Sequence, residues 1–88
     1  MRIQVRRTGG FAGIERQAEV DTSGRPDAPE WHALAERAVA AGRGTPPAGV
    51  PDGFRYTITV DGRTVHCADP RLTEEQRRLI SRVLKEGA

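Results

Sequence analysis

Phe54-Arg55-Tyr56-Thr57-Ile58-Thr59-Val60-Asp61-Gly62-Arg63-Thr64-Val65-His66-Cys67 is the stretch whose reading decides the fold. Phe54, Tyr56, Ile58 and Val60 alternate with Arg55, Thr57 and Thr59, the period-two pattern of a strand with one buried face. Asp61-Gly62 follows at once, and both positions accept the positive φ that a two-residue hairpin turn requires. A two-residue loop sets the register, so the sequence predicts Ile58 opposite Val65 and Tyr56 opposite Cys67. The same register sends Arg55, Thr57, Thr59, Thr64 and His66 to the other face. Turn chemistry and hydropathy pattern agree on an antiparallel hairpin.

Upstream, a second hairpin has a different tip. Met1, Ile3 and Val5 alternate with Arg2, Gln4 and Arg6, which predicts a strand over the first seven residues. Thr8-Gly9-Gly10-Phe11-Ala12-Gly13 breaks the pattern, and alternation resumes at Ile14 with Ala18 and Val20 on its face. Arg16 interrupts that apolar face. The reading is an antiparallel hairpin with a long glycine-rich tip.

Each hairpin is followed by a helix. Asp27 with Glu30 fits a capping-box variant, Pro29 is tolerated in the first turn, and Gly42 is a suitable end. Trp31, Leu34, Ala35, Ala38 and Val39 have the spacing of one buried helical face. Gly42 to Gly53, with three prolines, reads as a surface loop. After Asp69-Pro70, Thr73 and Gln76 form a second capping-box candidate, and Leu72, Gln76, Leu79, Ile80, Val83 and Leu84 mark a buried side ending at Gly87. The predicted fold is α+β: a four-stranded antiparallel sheet with two helices on its apolar face, in the order β-β-α-β-β-α. No internal repeat is strong enough to use, although both halves share the β-β-α order.

An 88-residue chain supports one domain, residues 1–88, because each half is too short to bury a core alone. At that size a deep catalytic pocket is disfavoured. Thirteen of fourteen cations are Arg, but twelve acids leave only +2, so bulk charge implies no nucleic-acid partner. One cysteine and two scattered histidines cannot form a disulfide or a zinc site of the usual kind. No apolar run approaches the ~18 residues of a membrane span, and the N-terminus lacks the apolar centre of a secretion signal. A cytoplasmic protein, with no membrane partner, is the expectation.

Few residues suggest chemistry. The glycine loop leads into a strand, whereas a phosphate loop needs a helix N-terminus and a following Lys-Ser or Lys-Thr. His66 and Cys67 are neighbours on a strand and point to opposite faces, so they do not form a nucleophile–base pair. Cys67 reads as a core residue beneath Tyr56, and His32 and His66 as packed or solvated side chains. Asp52, Asp61 and Asp69 fit turns. No catalytic residue, metal ligand or cofactor is predicted. Arg77, Arg78 and Arg82 read as the solvated side of a helix, and Arg2, Arg6 and Arg7 as an exposed cluster beside the loop, able to steer an acidic partner. Phe11, flanked by residues too small to cover it, reads either as tucked onto the core or as an exposed anchor for a partner's pocket.

Arg7-Thr8-Gly9-Gly10-Phe11-Ala12-Gly13-Ile14, followed later by Phe54-Arg55-Tyr56-Thr57-Ile58-Thr59-Val60, resembles the emfourin family. These are small bacterial inhibitors of thermolysin-like zinc metalloproteases, protealysin among them. The resemblance follows the element order over most of the chain and implies a monomeric, non-enzymatic inhibitor. It also implies that Arg7, Thr8, Gly9, Gly10, Phe11, Ala12, Gly13 and Ile14 form the protease-binding segment. Such proteases favour a bulky apolar residue just past the scissile bond, so a hairpin tip across the cleft would offer Phe11, or failing that Ile14. Two readings from other classes stand beside it: a small adaptor docking on a larger assembly, and a nucleic-acid module using the arginines.

Overall fold

The computed structural model describes residues 1–9, 15–45 and 53–88. Its elements run β1 (Arg2–Gly9), β2 (Arg16–Asp21), α1 (Ala28–Ala41), β3 (Phe54–Val60), β4 (Arg63–Ala68) and α2 (Glu74–Glu86). The class is α+β, with the element order that the two hairpin patterns predict. All four strands pair antiparallel in one sheet, in the spatial order β2-β1-β3-β4.

The deciding stretch folds as its turn dictates. Asp61 and Gly62 have φ of 48° and 85°, the positive pair a two-residue hairpin needs. Ile58 faces Val65 and Tyr56 faces Cys67. The turn is tied to β1 as well: the Arg2 amide donates to Asp61 Oδ1 at 2.8 Å, and the Asp61 amide donates to the Arg2 carbonyl at 3.1 Å.

Ile3, Val5, Ala18, Val20, Tyr56, Ile58, Val65 and Cys67 form the buried face of the sheet. Against it pack Trp31, Ala35, Ala38 and Val39 of α1 and Leu79, Ile80 and Val83 of α2. Gln76 is buried with them because its side-chain amide donates to the Ala38 carbonyl at 3.2 Å. The opposite face is polar, with Arg2 and Arg6 reaching Glu19 and Glu15.

The two helices begin by different means. Thr73 and Gln76 form the full capping box: the Gln76 amide donates to Thr73 Oγ1 at 3.1 Å, and the Thr73 amide donates to Gln76 Oε1 at 3.0 Å. Asp27 makes no side-chain cap, contrary to the sequence expectation. Its carboxylate instead accepts from Arg25 at 3.1 Å, the Trp31 indole at 3.0 Å and Arg82 at 3.2 Å. Charge-assisted bonds are roughly twice as strong as neutral ones, so the arginines win the carboxylate from the helix end. Arg82 is correspondingly not a solvated residue. Its guanidinium carbon stands 4.2 Å from the centroid of the fully buried Trp31 ring.

Three further boundaries differ from the pattern. β1 continues through Thr8 and Gly9, because these pair with Arg55 and Phe54 of β3. β2 begins at Arg16, and Ile14 lies outside the described residues. The predicted surface loop after Gly42 starts with a sheet contact, since Arg43 and His66 exchange backbone bonds of 3.1 and 2.7 Å. Asp52, assigned above to a turn, lies with residues 46–52 outside the description.

That contact has a counterpart. Ala88 and Glu19 exchange two backbone bonds of 3.1 Å across the free edge of β2. The first half thus lends Arg43 to the edge of β4, and the second lends Ala88 to the edge of β2. Both residues follow a helix-ending glycine, and both glycines sit tight: a Cβ on Gly42 would lie 2.5 Å from Val65 Cγ2, and one on Gly87 2.8 Å from the Glu19 carbonyl. Each edge strand therefore has its mid-strand backbone groups covered, which blunts strand addition there.

Candidate functional site

The base of the first hairpin is braced on both sides. β1 pairs along its length with β3, from Ile3 opposite Val60 to Gly9 opposite Phe54, and with β2 from Arg2 to Arg7. Gly9 has φ of 86°, and a Cβ there would come within 3.0 Å of the Gly53 carbonyl, so both the conformation and the close approach call for glycine. The Phe54 carbonyl accepts from the Asp69 amide at 3.0 Å, extending the pairing past the end of β4.

Of the predicted interface residues, Arg7, Thr8 and Gly9 occupy the last positions of β1. Gly10, Phe11, Ala12, Gly13 and Ile14 lie outside the described residues. Arg7 does not share the exposed face of Arg2 and Arg6. It falls in step with Ile3 and Val5, is half-buried, and holds its guanidinium carbon 4.3 Å from the Phe54 ring centroid. Arg16 is its cross-strand partner and donates to the Leu84 carbonyl at 2.8 Å. The neighbouring Tyr56 ring lies 6.4 Å from Phe54. Its hydroxyl is pushed above the ordinary tyrosine range, chiefly by burial and also by Asp69, with Arg7 and Arg77 pulling the other way. Phe54 and Arg16 join the loop base in space although sequence reasoning did not place them there. The available signal was parity: Arg7 and Arg16 each fall on the apolar phase of their strands.

The chemically suggestive side chains take structural places. Cys67 is buried beside Tyr56, and burial, with Asp69, pushes its thiol up to about 11, so it carries no thiolate near neutral pH. His66 lies on the opposite face with Nδ1 3.4 Å from Thr57 Oγ1, and His32 Nε2 is 3.1 Å from Thr22 Oγ1. Among the described residues no group of three or more His, Cys, Asp or Glu side chains is placed to hold a metal ion. Among them, too, no helix is long and apolar enough to cross a membrane.

A family model described as Emfourin matches residues 5–84. The chain belongs to the Emfourin family. Comparison with curated proteins and with solved structures gives no match. Emfourin membership is consistent with a protease inhibitor and fits a chain that is not an enzyme. The matched span takes in Arg7, Arg16 and Phe54 as well as the predicted loop. In this Emfourin chain the glycine-rich sequence falls between β1 and β2, two strands of a sheet backed by both helices.

Proposed function

We propose that this chain inhibits thermolysin-like metalloproteases of the protealysin type by laying the segment between β1 and β2 across the zinc cleft. The family match over residues 5–84 carries this reading. The hairpin base supports it physically: Gly9 and Arg16, on either side of the segment, are held by β3 and by the end of α2. A frame fixed before binding lowers the ordering cost that association would otherwise meet.

The zinc belongs to the protease, and this chain supplies no catalytic group and no cofactor. Its role is steric. Phe11, or failing that Ile14, fills the apolar pocket just past the position of the scissile bond, while the flanking glycines let the backbone lie close to the cleft floor. Water and substrate are then kept from the metal. A standard interface of ~800 Å² per partner is within reach of a chain this small. The chain acts as a monomer in the cytoplasm under this reading.

Titrating a panel of thermolysin-like proteases with the full chain tests it. The expected result is loss of peptidase activity that saturates near equimolar inhibitor for at least one of them. Full activity at large molar excess against every member would sink the proposal and favour an adaptor.

A further inference from the structure

Two arginines stand directly opposite each other on the face of the sheet that carries its buried apolar residues. Arg7 and Arg16 are direct cross-strand partners, in the row that continues through Tyr56 and Cys67. The adjacent row is Ala18, Val5, Ile58 and Val65, all buried. Like charges directly opposed in an antiparallel pair weaken it. Among the described residues neither arginine reaches a carboxylate that would offset this repulsion. Arg16 is exposed, and its one bond is to a backbone carbonyl. Arg7 lies on Phe54, with a buried Nε that finds no acceptor among those residues. Local arrangements that work against their own scaffold are expected where function has demanded them.

We propose that Arg7, Arg16 and the Phe54 ring form a docking surface for carboxylates on the partner protein, at the rim of the protease cleft; this rests on the inhibitor reading above. Phe54 fixes the plane of the Arg7 guanidinium and keeps it partly out of water, which strengthens its pull on an anion. Arg16 sets a second cation beside it, so that one acidic segment neutralises both. Position favours contact. Arg7 precedes Gly9 by two residues, about 7 Å along the strand, well within a standard interface centred on the loop.

The test is the association rate of the full chain with a protease that it inhibits, followed against ionic strength. Arg7→Gln with Arg16→Gln should slow association on the order of tenfold at low salt. The difference should close near ~1 M salt, where the screening length is about 3 Å. Melting should stay close to wild type, because removal of a like-charge pair offsets the lost Arg16 bond to the Leu84 carbonyl and the lost Arg7 contact with Phe54. Arg7→Lys, which keeps the charge, should retain the salt slope. A double variant with the wild-type rate and slope overturns the assignment while leaving the inhibitor reading intact. So does a double variant that melts well below wild type, or one whose deficit persists undiminished at ~1 M salt, since either makes the arginines packing residues. A wild-type chain that inhibits no protease of the panel removes the inhibitor reading, and this assignment with it.

Discussion

The two hairpins turn by opposite means. β3 passes to β4 through Asp61 and Gly62 alone, both with positive φ, and the turn residues fix the pairing of every position that follows. β1 and β2 are joined through residues 10–15, and that length imposes no register of its own. What aligns β1 is the neighbouring strand: Ile3 to Gly9 run against β3, itself already set by the tight turn. One hairpin is therefore held by local chemistry and serves as scaffold. The other borrows its order from the sheet.

The contrast breaks if the scaffold hairpin can be weakened without consequence. Ile58, fully buried in the central strand β3, should lose about 2–5 kcal/mol of stability on Ile58→Ala. Denaturant unfolding should register it, with inhibition falling only as the folded fraction falls. Phe11→Ala sharpens the comparison from the other side. It should weaken inhibition by ~2 kcal/mol or more with melting unchanged. An equal loss of stability would instead mean that Phe11 packs on the core. Gly62→Ala should cost about 1–2 kcal/mol, because Gly62 has φ of 85° while nothing lies within 4 Å of the added methyl. A melting temperature equal to wild type would show that the turn does not set the register after all.

The smallest effect concerns the helix starts, where the same contrast recurs. Thr73 caps α2 with neighbours in sequence, whereas Asp27 at the start of α1 is engaged by Arg25, Trp31 and Arg82. The Arg25 hydrogen bond, more than any other contact, holds the Asp27 carboxyl below the usual aspartate range. A depressed folded pKa gives stability that is present above the unfolded value and lost as pH falls through the folded one. Asp27→Asn should therefore lower the urea midpoint modestly at neutral pH, the pair being partly exposed. The gap from wild type should narrow as the medium is acidified below about pH 3.9. A gap that is constant across pH would mean that the charge contributes nothing.

Much of the fold was legible because its signals are local. Alternation, the Asp61-Gly62 turn and the Thr73–Gln76 box each depend on residues close in sequence, and each is found in the structure. The partial readings have separate causes. Asp27 reads as a cap because a sequence displays its helix neighbours; in the fold Arg25, Trp31 and Arg82 engage it, and Arg82 comes from the other helix. Adjacency in sequence groups Arg7 with Arg2 and Arg6 as a charge cluster, although parity alone puts it in step with Val5. Of the candidate site, the segment from Arg7 to Ile14 is named only by what the family resemblance implies, with Gly10 to Ile14 outside the described residues, while Arg16 and Phe54 need the sheet to bring them beside Arg7.

The sequence by itself determined the six elements, their order and one complete register, since hydropathy period and turn chemistry act within a few residues. Only the tertiary structure decided that β1 and β3 lie side by side. It also decided that each half guards the other's edge through Arg43 and Ala88, and that Arg7, paired across the strands with Arg16, lies over Phe54. Those contacts join residues far apart in the chain. They form where packing of the apolar faces brings the backbone together, and no local pattern records that meeting.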